Sequence, residues 1–256
     1  MKLDTTEVEL RSTAATYIAS LSHTLNDLVA EHPWLASFTK QLTSIDAGAP
    51  IRGPFNAIAD KAHQHLEQIA GSLPHTGTTL ADAVNSAIHN LDWSPVYGGG
   101  GVDQRLADGL FTAQAAGNYG GFNSDHISAG LFLLAPHLRY PLHTHEAEEV
   151  YYCISGEVDI QHGYDGAPVT LTPGHHSYTP AHRLHGLTTR EQPALLAYSW
   201  HGDLRCKTWW WARQADGSLH RTAWHRPEGG SWEPQHEEPV DREMFAQAHE
   251  GQEEID

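Results

Sequence analysis

The chain has 256 residues, 39% of them hydrophobic, which is enough for one large domain or for a domain with a substantial appendage. Its formal charge is −17, from 32 acidic and 15 basic residues, so nucleic acid and anionic membranes are excluded as good partners. The sequence lacks an apolar run of membrane-spanning length, and its start, MKLDTTEVELRST, lacks the basic and apolar regions of a signal peptide. We therefore expect a cytoplasmic protein that makes no contact with a membrane.

The first third of the sequence has the spacing of amphipathic helices. Apolar residues recur at steps of three and four in three stripes: Ala14, Ile18, Leu21, Leu25 and Leu28; then Ile58, Ala62, Leu66, Ile69 and Leu73; then Leu80, Val84, Ile88 and Leu91. A further short helix is expected after His32-Pro33, carrying Trp34, Leu35, Phe38 and Leu42. We expect residues 1–92 to form a helical region that packs on the rest of the chain or on a partner subunit.

Short β-like runs begin where the composition changes, after Trp93. Nine candidate strands alternate with turns, at 109–115, 127–135, 148–155, 157–162, 169–172, 176–179, 186–189, 194–200 and 208–213. Many short strands at close spacing indicate a sandwich or a small barrel. We assign residues 93–225 to this β-domain.

The last segment, residues 226–256, is polar and acidic. From Pro227 to Asp256 it carries 10 acidic residues and a single basic one, Arg242. We expect an extended or partly disordered tail with one short helix near 240–248.

The stretch YPLHTHEAEEVYYCISG, from Tyr140 to Gly156, carries the most informative pattern. Side chains alternate faces along a strand, so one regular strand would put five residues on the same face: His143, His145, Glu149, Tyr151 and Cys153. Two imidazoles, a carboxylate and a phenol would then point into one space. That is the chemistry of a metal site with an acid or base beside it.

This spacing resembles the first conserved motif of the cupin superfamily, in which Gly, His-x-His, Glu and Gly stand at set intervals. His143, His145, Glu149 and Gly156 fit that motif, while His137 stands at the position of the leading Gly. Gly174, Pro180 and His185 fit the second cupin motif, in which His182 replaces a Gly and Thr189 an Asn. The resemblance implies a mainly β fold, the cupin double-stranded β-helix or jelly roll, preceded here by the helical region.

The same resemblance implies a metal bound by four side chains: His143, His145, Glu149 and His185. His182 is the rival to His185. One divalent transition metal is expected, and this mixed nitrogen and oxygen set suits Fe, Zn, Mn, Ni or Co. Since cupins are often dimers, a homodimer is a candidate assembly.

A narrower pattern adds two tyrosines and a tryptophan to the metal motif. Tyr140 precedes His143 by three residues, Tyr151 follows Glu149 by two, and Trp200 follows His185 along the chain. This pattern resembles the cupin dimethylsulfoniopropionate (DMSP) lyases, which cleave the zwitterion DMSP into dimethyl sulfide and acrylate. The resemblance implies a carbon–sulfur lyase acting on a small zwitterionic substrate.

The chemistry of β-elimination gives these residues roles. A base must remove a proton next to the carboxylate, and a divalent metal can bind that carboxylate as a Lewis acid. Tyr151 is the expected base, because nearby positive charge lowers the pKa of a phenol. Tyr140 is a second candidate for the reaction, and the aromatic faces of Tyr140 and Trp200 are candidates to hold the cationic sulfur.

Each of these residues also has a possible role that does not involve catalysis by this mechanism. Tyr151 could be a core residue or a direct metal ligand, Tyr140 a wall residue, and Trp200 core packing. The same ligands could also serve an iron-dependent cupin dioxygenase, a non-catalytic cupin that binds a small ligand, or a sugar or keto-acid isomerase.

Overall fold

The computed structural model describes residues 7–52, 60–71, 73, 79–98, 100–227, 231–250 and 254–255. Its helices are α1 (Glu7–Leu28), α2 (Leu35–Thr43), α3 (Asp60–Ala70), α4 (Thr79–Asn90), α5 (Gln104–Gly109) and α6 (Arg242–Gln247). The first four helices contain most of the predicted apolar stripes, and Leu28 is the last residue of α1. Leu73 and Leu91 follow the ends of α3 and α4, and Ile58 lies outside the described residues. No helix in these ranges combines the length and apolar character that a membrane span requires.

Within the described residues, fourteen strands follow or interleave with the helices. In chain order they are β1 (Ser94–Pro95), β2 (Leu110–Ala116), β3 (Ile127–Leu134), β4 (Arg139–Thr144), β5 (Glu148–Ser155), β6 (Val158–His162), β7 (Val169–Leu171), β8 (His176–Thr179), β9 (His185–Thr189), β10 (Ala194–His201), β11 (Thr208–Arg213), β12 (Leu219–His225), β13 (Glu233–Pro239) and β14 (Glu254–Ile255). All nine predicted strands are present, with ends that differ by at most one residue.

The strands form two antiparallel sheets of seven strands each. The first sheet has the order β1-β2-β3-β10-β5-β8-β14, and the second has the order β13-β12-β11-β4-β9-β6-β7. Consecutive strands repeatedly lie in different sheets, which is the crossing pattern of a jelly roll. The predicted fold, a mainly β jelly roll preceded by helices, is therefore confirmed.

The alternation of side chains divides the first sheet between two cores. Residues at one parity face the N-terminal helices and form what we call the helix–sheet core; its strand members include Ile127, Ala129, Leu131, Leu133, Val150, Leu195 and Ala197. Residues at the other parity face the second sheet and form the inter-sheet core, which includes Phe132, Leu134, Tyr151, Cys153, Leu196 and Tyr198. The same strands therefore serve two layers of packing.

The helices dock on the first sheet through apolar contacts and one buried hydrogen bond. Leu21, Leu25 and Phe38 are almost fully buried in the helix–sheet core. The Tyr17 hydroxyl donates to the backbone carbonyl of Gly130 at 2.5 Å. Helices α1 and α2 thus pack on the first sheet of the barrel.

The stretch from Tyr140 to Gly156 is two strands and not one. β4 ends at Thr144 and pairs with β9 and β11, whereas β5 begins at Glu148 and pairs with β8 and β10 in the other sheet. The prediction of a single strand face carrying all five side chains is therefore wrong. The chain changes sheets between the two strands, because a jelly roll closes its interior in this way, and both strands point functional side chains into that interior.

The acidic final segment pairs with both sheets over its described part, since β14 pairs with β8 in the first sheet. β13 pairs with β12 along six residues, and α6 lies where a short helix was predicted. The carboxylate of Asp241 accepts the Met244 backbone N–H at 2.8 Å, which caps that helix. Ala248 then packs with Leu184 and Trp211 on the outside of the barrel.

Candidate active site

Four side chains from both sheets converge inside the barrel. His143 lies on β4, His145 directly after it, Glu149 on β5, and His185 at the start of β9. One potential ligand atom from each lies within 4.8 Å of all the others. The Glu149 Oε2 atom is 3.0 Å from His185 Nε2 and 3.3 Å from His145 Nε2. All four residues have relative exposures of 2% or less.

Each of the three imidazoles is oriented by a backbone carbonyl. The Nδ1 atoms of His143, His145 and His185 lie 2.8 to 2.9 Å from the carbonyl oxygens of Pro141, Ala147 and Arg183, respectively. A carbonyl can only accept, so each Nδ1 carries the proton and each Nε2 presents a lone pair. Hydrogen bonds of this kind fix the tautomer and ring orientation of metal-binding histidines.

The charge state of the cluster also suits a cation. Burial lowers the pKa of His143 and of His145, so both rings are neutral near pH 7. Burial by itself would raise the pKa of Glu149, but the adjacent side chains of His145 and His185 outweigh it and hold that pKa well below its usual value. The Nε2 atoms of His143 and His145 are buried without a hydrogen-bond partner. Three imidazoles and a carboxylate therefore fit a divalent transition metal, which would satisfy those nitrogen atoms.

A cavity of about 600 Å³, which we call the site cavity, opens onto this cluster. Its lining includes Tyr140, Glu149, Tyr151 and Trp200, which are four of the residues that the sequence singled out. The volume lies in the range of small-molecule binding sites. Strand pairing explains the grouping, because Trp200 on β10 lies directly opposite Glu149 on β5.

Hydrogen bonds and ring contacts tie the aromatic residues to the ligand cluster. The indole N–H of Trp200 donates to Glu149 Oε1. The Tyr140 ring stacks on the His143 ring with centroids 4.1 Å apart. Burial, followed by the negative charge of Glu149, raises the pKa of Tyr151 well above its ordinary value. Without a nearby cation, Tyr151 is therefore a neutral phenol.

The rival histidine lies outside the cluster. His182 donates its backbone N–H to the carbonyl of His145 at 2.7 Å, and it does not belong to the group of candidate ligands found among the described residues. Its φ angle is +64°, and His137 has a φ of +55°; these are the non-glycine residues with positive φ in the described chain. Both stand where the cupin motifs have Gly, so the left-handed backbone persists although the residue has changed.

Comparison with known proteins decides the family. Residues 52–196, more than half of the chain, match the family model described as dimethylsulfoniopropionate lyase. The chain belongs to the DMSP lyase family. A relative within it is the dimethylsulfoniopropionate lyase DddQ of Ruegeria pomeroyi, which is 30% identical over 184 residues, or 69% of this chain and 85% of the relative.

Solved structures of DMSP lyases have the same fold. The crystal structure of DMSP lyase DddQ from Ruegeria pomeroyi matches with a TM-score of 0.58 and 25% identity, and it covers 75% of this chain and 94% of that one. A structure from a study of the DMSP lyases RdDddP and RnDddQII matches with a TM-score of 0.57 at 20% identity, over the same shares of the two chains. The DMSP lyase resemblance stated from the sequence is therefore confirmed.

This member of the DMSP lyase family has further cavity residues that sequence reasoning missed. Tyr198 lies opposite Tyr151 on the neighbouring strand, and the Phe132 ring centroid is 5.7 Å from that of Tyr151 and 6.1 Å from that of Tyr198. Tyr198 could have been found, since it shares the parity of Trp200 on one strand. Phe132 had no such signal, because every residue of β3 except Ser128 is nonpolar.

Proposed function

We propose that this protein is a metal-dependent carbon–sulfur lyase that cleaves DMSP to dimethyl sulfide and acrylate by β-elimination. Membership of the DMSP lyase family carries the proposal. The buried group His143, His145, Glu149 and His185, which we propose as the metal ligands, supports it. The adjoining cavity with its aromatic lining provides a space for a small zwitterion.

A bound divalent transition metal would act as a Lewis acid toward the substrate carboxylate and would favour the phenolate form of a nearby tyrosine. Tyr151 is the proposed base, and its phenolate oxygen would take the α-proton and become the phenol. The electron pair of that C–H bond forms the carbon–carbon double bond as the carbon–sulfur bond breaks. Dimethyl sulfide leaves as a neutral molecule, so no group has to protonate it.

The sulfonium end of the substrate needs a different environment from the carboxylate. The faces of Trp200 and Tyr140 are proposed to attract it, since aromatic rings stabilise desolvated cations by about 0.5–2 kcal/mol. Tyr140 is further proposed to take part in the reaction through its hydroxyl. The hydrogen bond from Trp200 to Glu149 holds the indole in the cavity wall next to the ligand cluster.

The deciding experiment measures dimethyl sulfide and acrylate released from DMSP by protein whose metal content has been determined. We expect dimethyl sulfide and acrylate to be released in equal amounts. A chelator should abolish their release, and one or more of Fe, Zn, Mn, Ni and Co, added singly, should restore it. His145→Ala and Glu149→Ala should lose both metal and activity. If metal-loaded protein releases neither product and consumes oxygen with small acids or thiols, the lyase proposal fails and a dioxygenase takes its place.

Three other features stay predictions from the sequence. They are the cytoplasmic location, the homodimer, and the division into a helical region (1–92), a metal-binding β-barrel (93–225) and an acidic tail (226–256).

A further inference from the structure

Tyr97 contacts the candidate site although no sequence pattern marks it. It lies just after β1 and is 1% exposed. Its hydroxyl is 2.6 Å from the hydroxyl of Tyr140. The indole N–H of Trp210 donates to the same Tyr97 oxygen at 3.1 Å. A chain of three hydrogen-bonding side chains therefore ends on a residue that lines the site cavity.

The position of Tyr97 is set by segments that are far apart in the sequence. The Val96 carbonyl accepts from the Trp232 N–H at 3.0 Å, and the Trp232 carbonyl accepts from the Gly98 N–H at 3.1 Å. The Tyr97 ring also contacts the rings of Trp210 and Trp224, with centroids 4.6 Å and 5.2 Å away. This packing leaves the Tyr97 hydroxyl little freedom to move.

Tyr140 needs such a partner because its hydroxyl can rotate about the C–O bond. The Tyr140 ring is held by its stack on His143, but stacking does not select a direction for the O–H group. A phenol oxygen has one donor and two acceptor positions, and a fixed neighbour selects among them. Orientation of a reacting group affects the rate of a reaction more than the binding of its substrate.

We propose that Tyr97 is a positioning residue, whose hydroxyl orients the hydroxyl of Tyr140 toward the substrate, and that Trp210 acts through Tyr97. This inference rests on the proposed lyase function. Trp210 belongs to the run Trp209-Trp210-Trp211, so one member of that run has a role in the site and the other two pack elsewhere.

A double-mutant cycle on DMSP cleavage tests the coupling. Tyr97→Phe removes the hydroxyl and keeps the ring; it should lower kcat about five- to tenfold, as expected for one hydrogen bond, with KM within about twofold and metal content unchanged. In a Tyr140→Phe background the same change should have no further effect on kcat. Trp210→Phe should lower kcat about threefold, and that effect should vanish in Tyr97→Phe. Trp209 is the neighbour of Trp210 on the opposite face of the strand, so Trp209→Phe is the control and should leave kcat unchanged.

A second measurement does not depend on turnover. With tyrosines labelled by ¹³C at Cζ, the Tyr140 resonance, assigned from Tyr140→Phe, should shift in Tyr97→Phe. It should stay in place in Tyr164→Phe, because Tyr164 packs against Arg213 and does not line the site cavity. The inference is overturned if that resonance does not move, or if Tyr97→Phe lowers kcat equally with and without the Tyr140 hydroxyl. If Tyr97→Phe shifts the Tyr140 resonance but the wild-type protein cleaves no DMSP, the proposed function is contradicted and the pairing of the two tyrosines remains.

Discussion

The helix–sheet core and the inter-sheet core share the strands of one sheet and differ in chemistry. Toward the helices, the buried hydrophobic residues of β3, β5 and β10 are Leu, Ile, Val and Ala; the partly buried Tyr152 packs against them, and Ser199 is a buried polar residue on this face. Toward the second sheet, the alternate residues of the same strands include Glu149, Tyr151 and Tyr198, all with exposures of 8% or less. The first layer buries mainly apolar surface, which stabilises the fold, whereas the second also buries ionisable groups, which costs free energy unless each finds a partner.

This difference separates stability from function within single strands. Along any one strand, a side chain that faces the helices is expected to serve stability, and its neighbour that faces the second sheet is expected to serve function. Neighbouring residues on one strand are therefore natural pairs of test and control variants, since their backbones and strand partners are shared.

The largest expected effect comes from the pair Tyr151 and Tyr152. Tyr151→Phe should lower kcat for DMSP by two orders of magnitude or more, because it removes the proposed base, while metal content and melting temperature stay near those of the wild type. Tyr152→Phe makes the same chemical change one residue along, on the helix side, and should keep kcat within about twofold. Steady-state kinetics on both variants, together with metal analysis, provide the check. A Tyr151→Phe variant with near-wild-type turnover would show that the base lies elsewhere.

The next effect concerns the helix side and should appear in stability. Leu131 is fully buried in the helix–sheet core. Leu131→Ala should lower the free energy of unfolding by about 2–5 kcal/mol because it leaves a cavity, and Leu131→Met should cost less than about 1.5 kcal/mol. Denaturant titration measures both values. The folded protein should retain kcat and KM, so a loss of turnover without a loss of stability would break the division between the two cores.

Much of this architecture could be predicted because it follows local patterns. The apolar stripes predicted the helices, and the two half-motifs led to the jelly roll and to the four candidate ligands that the structure brings together. The glycine positions of those motifs have a physical basis, since His137 and His182 keep the positive φ angles there.

What the sequence did not reveal depends on contacts between distant segments. The sequence around Tyr97 does not indicate that its hydroxyl contacts the hydroxyl of Tyr140. That contact forms only when the segment after β1 packs beside β4 and β11 in the folded protein. The change of sheets between His145 and Glu149 was missed for a related reason. A short connection without Gly or Pro reads as continuous strand unless the partners on each side are known.

The last expected effect is small near neutral pH, where His162 is neutral in both states, and it concerns the interior of the barrel. His162 on β6 lies opposite His185, and its Nε2 atom is 2.8 Å from the hydroxyl of Thr179. Burial lowers the pKa of His162 to about 3. The unfolded chain has the ordinary histidine pKa of about 6.5, so between these values it binds a proton that the folded chain does not bind. The free energy of unfolding should therefore fall as the pH drops from about 6.5 toward 3, by at most about 1.4 kcal/mol per pH unit for this one group.

His162→Gln removes the titrating ring and retains an amide that can bond to Thr179. In metal-free protein, so that metal release does not contribute, its unfolding free energy should depend less steeply on pH over that window than that of the wild type. Leu131→Met on the helix side should have the wild-type slope, whatever its stability at neutral pH. Denaturant titrations at several pH values measure these slopes. If His162→Gln and the wild type fall in parallel, the folded protein binds the proton at His162 and the interior of the barrel is more open to water than its burial indicates.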